Sequence, residues 1–492
     1  MIQSARHTLY LLIIVAMLLA LQVRAQSGVQ LPDIGRTSTQ VLSPEEQRTF
    51  PSDFERFLRA NHLLIEDPLV SEYFRDMGYR LVSYSSRPGN TFHFFVIDDP
   101  NINAFAAPAS VIGLHTGLIL AAEDHSEIAG VIAHEIAHVT QDHLARGLEN
   151  SQQVSLPTLL ATIGLALAAG AAGAGGEASQ AIMMSGLSLA QQFQINHTRQ
   201  NEAEADRIGI ALMAGAGYDP QGMTRFFERL SVISRPMGEG PPEYLRTHPL
   251  TVNRIAEART RAEQLPVREP LDGGMFHTVQ ARLRALVSSK PGQAEDWFRA
   301  RIAEGSRPEN SMRYGLAFSL LREGRLDQAR KELDALLASA PDERLYQLLE
   351  AKWLLAVGRQ SETLDILESL YWQYPGNGLV ARQFAQALMH DPDPARAARA
   401  GGILRQYLRH HENDVEMTEL YARAADRAGQ SVRAAEALAE SYAMRGAVKE
   451  AIIQLERVSK RDDLDYYQRA RVNARMEQLR AERLRLAEQA GR

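Results

Sequence analysis

The sequence predicts a mainly α-helical protein: a helical domain with a small β-sheet, followed by an α-solenoid of short helical repeats. Three observations carry this prediction. An apolar stretch of helical period, Val131–Val139, holds histidines at i and i+4. Two runs rich in β-branched and aromatic residues, 91–97 and 111–120, read as strands of a small sheet beside it. In the C-terminal half Gly324 and Gly358, and likewise Pro341 and Pro375, recur at about 34 residues, the tetratricopeptide period.

Residues 1–25 contain Arg6 and His7, an apolar stretch from Leu9 to Leu21, and Val23-Arg24-Ala25. A basic start, a short apolar core and small residues at the cut predict a signal peptide removed after Ala25. The apolar core is shorter than the ~20 residues that span a bilayer. The chain has no cysteine, which excludes a thiol protease, a thiolate metal site, a disulfide scaffold and lipid attachment. That absence suits an oxidising periplasm. A net charge of −6 gives no support for a nucleic-acid partner. Residues 26–43 form a lead-in of Gly, Pro, Ser and Thr character. The remaining length calls for two domains, 44–264 and 275–492, joined by the Pro- and Gly-containing linker 265–274 with its boundary near Pro270.

Residues 44–87 read as helices. Acidic residues at Glu123-Asp124-His125-Ser126-Glu127 suit the start of the next helix, where the dipole is positive. At about 3.6 residues per turn His134 and His138 share one face and can reach one metal ion. Glu135 leaves the axis roughly 100° away, beside such an ion and placed to take a proton from water. Downstream, Glu202 and Asp206 share a face of another helix and Glu204 points elsewhere. Glu202 can complete a His2Glu set for one zinc ion per chain, with the fourth position left to water. Asp206 is spaced to hold a ligand imidazole by its distal N–H. His115 reads as a strand-end or turn residue and not a ligand. On an unbroken helix His125 and His143 face away from His134, as surface histidines.

Residues 151–176 carry no charge, and Leu159–Gly176 is dominated by Ala, Gly and Leu. One membrane crossing there would separate His138 from Glu202, so a re-entrant or soluble helical hairpin is expected. We read it as a mobile lid, with peripheral membrane contact through 154–190.

His134-Glu135-Ile136-Ala137-His138, followed by Glu202 and Asp206, resembles the gluzincin family that includes the HtpX-like and CAAX-prenyl endopeptidases; the likeness spans roughly Val41 to Gln264. It implies His134, His138 and Glu202 as zinc ligands and Glu135 as general base. Asn101–Ala106 resembles the family segment that precedes a strand, here 111–120, lining the substrate cleft. It implies that Asn103, Ala104 and Phe105 hold an extended peptide. His248-Pro249 and Arg254 stand where the family carries a related stretch. His248 could stabilise the developing oxyanion, fill the open zinc position as a latch, or merely enter a helix; Arg254 could serve the oxyanion or form a structural salt bridge. With a leader in front and repeats behind, the chain is similar to periplasmic proteases that enhance β-barrel assembly. That implies unfolded or stalled outer-membrane proteins as substrates and the outer-membrane assembly machinery as partner of the repeats. The competing class is a chaperone or adaptor that rarely cleaves.

In the repeats Ala317 and Ala351 occupy the small position of first helices, and Ala329 that of a second helix, where Thr363 stands one unit on. Gly429 and Gly446 continue the pattern at half a period, while the unit around Asp391-Pro392-Asp393-Pro394 is irregular. Stacked helix pairs offer a concave face for peptides or proteins. Arg382, Arg396, Arg399, Arg405 and Arg409 form a basic tract, and Tyr466–Gln489 reads as an exposed capping helix.

Overall fold

The computed structural model describes residues 43–148, 199–234, 242–266, 273–290, 292–305 and 307–490. The leader, nearly all of the lead-in, the uncharged stretch read as a lid and the middle of the linker lie outside the described residues.

Helix α1 (Pro44–Ala60) starts at a reciprocal cap, in which the Glu46 amide donates to Ser43 Oγ and the Ser43 amide to the Glu46 carboxylate. Its buried Phe50, Phe54 and Leu58 cover the sheet. Helix α2 (Pro68–Val82) is capped by Asp67. The sheet has strands β1 (His93–Ile97), β2 (Ala104–Ala107) and β3 (Val111–His115), with β3 central, parallel to β1 and antiparallel to β2. The strand expected over 111–120 therefore stops at His115, and 116–121 forms helix α3 (Thr116–Ala121). The Thr116 hydroxyl and the Gly117 amide both donate to the Asp99 carbonyl, at 2.8 and 2.9 Å, and turn the chain out of the sheet. Only glycine fits at 117, since a Cβ would lie 2.0 Å from the Pro100 carbonyl oxygen. The strand after the Asn101–Ala106 segment is thus central, and β2 itself is the edge.

Helix α4 (His125–Thr140) is capped by Asp124, whose carboxylate accepts from the Ser126 and Glu127 amides, and is buried along nearly its whole length. Helices α5 (His143–Leu148), α6 (Arg199–Ala216), α7 (Gln221–Ile233), α8 (Glu243–Thr247) and α9 (Val252–Glu263) follow. Helix α4 packs against α6, α7 and α2. Close approach of α6 depends on Gly209, where a Cβ would sit 2.9 Å from Met223 Cε and 3.2 Å from the His134 amide.

The repeat region runs through α10 (Gly273–Val287), α11 (Gln293–Glu304), α12 (Glu309–Arg322), α13 (Leu326–Ser339), α14 (Arg344–Ala356), α15 (Gln360–Gln373), α16 (Gly378–His390), α17 (Pro394–Leu408), α18 (Val415–Arg427), α19 (Ser431–Met444), α20 (Val448–Ser459) and α21 (Tyr466–Ala490). Gly324, Gly358, Gly429 and Gly446 all have positive φ at the turns between helices, which is why the period is carried by glycine. Ala317, Ala329 and Ala351 are buried. Thr363 is tolerated because its hydroxyl donates to the Arg359 carbonyl at 3.0 Å. The irregular unit is the α16–α17 turn, with Asp393 capping α17.

One hydrophobic core extends from Leu69 to Ala424, and the described residues form a single compact unit. Much of the basic tract is neutralised locally, Arg382 by Glu416, Arg396 by Asp391 and Arg399 by Glu368. Helix α21 is less exposed than expected. Val472, Met476 and Leu479 are buried, while Arg471, Arg475 and Arg480 pair with Glu436, Glu440 and Glu456 of the two preceding helices. Its end returns to α1 through Arg485–Asp53 (3.1 Å) and Arg56–Glu482 (2.6 Å). Between α1 and the late repeats lies a cavity of about 880 Å³, lined by residues such as Arg59, Arg405, Tyr421 and Glu440. Among the described residues no helix is long and apolar enough to cross a membrane.

Candidate metal centre

Helix α4 presents His134 and His138, α6 presents Glu202, and the C-cap of α8 presents His248. One ligand atom from each lies within 4.8 Å of all the others, and all four residues are buried. His134 Nε2 is 2.9 Å from His138 Nε2 and 3.3 Å from His248 Nδ1. The Glu202 carboxylate is 3.1 Å from His248 Nδ1, 3.4 Å from His138 Nε2 and 3.5 Å from His134 Nε2. A tetrahedral zinc with bonds of about 2.0–2.1 Å sets neighbouring donors roughly 3.3 Å apart, so these residues fit such an ion. Glu135 stands beside this set, its carboxylate 3.5 Å from His248 Nε2.

Asp206 Oδ1 is 2.9 Å from His134 Nδ1, which leaves Nε2 for the cluster. Arg254 of α9 holds Asp206 through Nε and Nη2 at 2.8 and 2.9 Å, and its Nη1 is 2.8 Å from Glu202 and 2.9 Å from the Pro249 carbonyl. All three of its nitrogens are thereby engaged. The guanidinium braces the acidic residues of α6 and the turn after His248, which is the geometry of the salt-bridge alternative.

Burial would raise the Glu202 carboxyl, but the charge of His248 and hydrogen bonds from the histidines hold it far below the usual range. Burial would likewise depress His134, yet Asp206 and Glu202 outweigh it and raise its pKa to about 10. The spot therefore attracts positive charge, and a proton there competes with a metal ion. Glu135 is pushed up, chiefly by burial, which favours a proton acceptor over a permanent anion.

Two histidines differ from expectation. His143 is fully buried, with Nδ1 2.9 Å from His138 Nδ1 and Nε2 3.0 Å from Glu204. Helix α4 does not continue to it: the helix ends at Thr140 and Asp142 adopts φ 54°, held by a two-pronged Arg87 pair. That left-handed residue resets the register and swings His143 back beneath His138. Glu204, which does face away from Glu202's partners, meets it there. His125 is also buried, against Tyr218. His115 stands at the end of β3 and outside the metal-competent set.

Asn103 and Ala104 are buried, and the Phe105 ring turns to Phe54 and His115 and not to the histidine cluster. On the outer side of β2 the Ile102 carbonyl accepts from the Tyr244 amide at 3.2 Å. Sequence reasoning also missed Tyr244. Its ring lies 4.7 Å from that of His248 at 31°, its hydroxyl is buried among Glu135 and Glu202, and no local pattern announces it.

The profile of Peptidase family M48 matches residues 68–262, and a tetratricopeptide-repeat profile matches 309–352. The Beta-barrel assembly-enhancing protease of Escherichia coli (strain K12) is 34% identical over 457 residues, 93% of this chain and 92% of that one. The Putative beta-barrel assembly-enhancing protease of Vibrio cholerae is 35% identical over 459 residues, 93% of each chain. Mitochondrial metalloendopeptidase OMA1 of Arabidopsis thaliana is 30% identical over 199 residues, 38% of this chain and 35% of its own. Likeness sustained across peptidase and repeat regions alike shows that the chain belongs to Peptidase family M48 and is a metallopeptidase carrying tetratricopeptide repeats.

Proposed function

We propose that this metallopeptidase is a periplasmic zinc endopeptidase that hydrolyses misfolded or stalled outer-membrane β-barrel proteins, while its repeats engage the assembly machinery. The single observation that carries the chemistry is the buried His134, His138, Glu202 and His248 set at tetrahedral spacing beside Glu135. Barrel assembly is suggested by the relatives' names, and the periplasm by the leader-like residues 1–25. Residues 44–264 would then supply catalysis and 275–492 partner binding.

A single zinc ion, held by His134, His138 and Glu202, would polarise the scissile carbonyl and acidify a water. Glu135 takes the proton of the attacking water at its carboxylate and delivers it to the leaving nitrogen. Asp206 keeps His134 in the required tautomer, and Arg254 keeps Asp206 in place. An extended substrate adds to the outer side of β2. There the Ala104 amide and carbonyl face outward by strand alternation, next to the Ile102 carbonyl already used. Asn103 and Phe105 support that edge, since their side chains are turned elsewhere. Incubation with a chelator should abolish proteolysis of an unfolded protein and lower Tm, and one equivalent of zinc should restore both. Protein purified without chelators and devoid of stoichiometric metal overturns the reading.

His248 is best read as a latch. A catalytic zinc site keeps one position open, whereas here a fourth protein donor occupies the cluster. Tyr244, whose ring lies tilted against that of His248, holds the latch shut. His248→Ala should raise basal proteolysis several-fold; a fall would assign the residue to the oxyanion instead. The same closure favours a second reading, a chaperone or adaptor that seldom cleaves.

A further inference from the structure

We propose that His143 and Glu204 form a relay that orients His138 for the metal, making both of them positioning residues of the centre. The inference rests on the zinc reading above. With His138 Nε2 turned into the cluster, its Nδ1 carries the proton and donates to His143 Nδ1 at 2.9 Å. His143 Nε2–H in turn donates to Glu204 at 3.0 Å. The two ligand imidazoles are thus held alike: His134 directly by Asp206, and His138 through a second imidazole by Glu204. A carboxylate two positions before Asp206 leaves α6 on a different face, so the same helix serves both histidines from two sides.

Local structure is arranged around this contact. The left-handed Asp142, fixed by Arg87, is what allows His143 to pack edge-on to His138, with ring centroids 4.8 Å apart at 74°. Glu204 is itself flanked by Arg146 at 3.6 Å and Arg207 at 3.8 Å, which keeps the end of the relay anionic in its partly exposed position. A surface pair would need none of this geometry, and His143 is fully buried. Fixing the tautomer and tilt of a ligand imidazole raises its basicity toward the metal. Loss of such a partner typically lowers metal affinity about 10–100-fold.

The test is zinc affinity by competition with a chromophoric chelator, and the ligand-field spectrum of the cobalt-substituted protein. These are measured on the full chain for wild type, His143→Leu, His143→Gln and Glu204→Ala. His143→Leu should bind zinc about 10–100-fold more weakly and shift the cobalt bands. His143→Gln, which can still accept from His138 and donate to Glu204, should stay near wild type, and Glu204→Ala should fall between them. The metal-free Tm separates this from simple packing, since a structural role lowers that Tm and leaves affinity intact. Wild-type affinity and spectrum in His143→Leu overturn the relay while leaving the zinc site standing. Should His143→Leu fail to fold, unchanged affinity in Glu204→Ala does the same. A wild type that binds no zinc overturns the metal reading itself.

Discussion

Glu135→Gln is expected to lower turnover by about 10²–10⁴-fold with zinc still bound. The amide keeps the volume of the carboxylate at a position that is 1% exposed, so the fold has no reason to change. It cannot accept a proton, and the elevated pKa that burial gives Glu135 is lost with the group. The four donor atoms are untouched, so metal content by elemental analysis should equal that of wild type. Full turnover in this variant would place the base elsewhere. The variant also separates the two functional readings: a protein that acts mainly as a chaperone should still assist barrel assembly with Gln at 135. A chain truncated at the linker is a poorer test, because the hydrophobic core runs through that boundary.

The second large effect concerns the joint between the peptidase region and the repeats. Arg282 of α10 is buried and reaches Asp67, the cap of α2, with Nε at 2.8 Å and Nη2 at 2.7 Å. Its Nη1 donates to the Tyr314 hydroxyl at 3.0 Å, and its guanidinium lies over the Phe318 ring. Arg282→Met should cost about 3–5 kcal/mol in urea denaturation, because it strands a buried carboxylate. Adding Asp67→Leu should recover much of that loss, since the expense is the unpaired charge and not the missing pair. Burial would raise the Asp67 carboxyl, but Arg282 holds it below its ordinary value. The pair's contribution is therefore fully present above the unfolded-state value of about 4 and fades as pH falls through the lower folded one. The deficit of Arg282→Met should shrink correspondingly in acid. A constant deficit would mean that packing, not charge, dominates there.

Helical spacing made the centre legible. His134 and His138, and Glu202 and Asp206, can be read from the chain because i, i+4 places two side chains on one face whatever surrounds them. The repeat turns were legible for a related reason, since positive φ selects glycine at fixed intervals. His143 was lost at the single point where that logic stops. One aspartate in a left-handed conformation, fixed by an arginine distant in sequence, breaks the register, and no local periodicity encodes Arg87 meeting Asp142. Strand β2 escaped as a strand because Ala104-Phe105-Ala106-Ala107 lacks β-branched residues and is extended by pairing with β3. The state of Arg254 needed three-dimensional context: two acids from α6 and a carbonyl from the turn converge on it. Tyr244 was invisible for the same reason.

The return of α21 to α1 gives the solenoid two anchorages instead of one. A stack of helix pairs clamped only at its base can uncoil and rewind around whatever it meets, with the entropic penalty of being ordered on contact. Tethered at both extremities, this one gives up part of that freedom before it meets anything. Any spreading of the last repeats away from the first helix has to break the pairs of Arg485 with Asp53 and of Arg56 with Glu482.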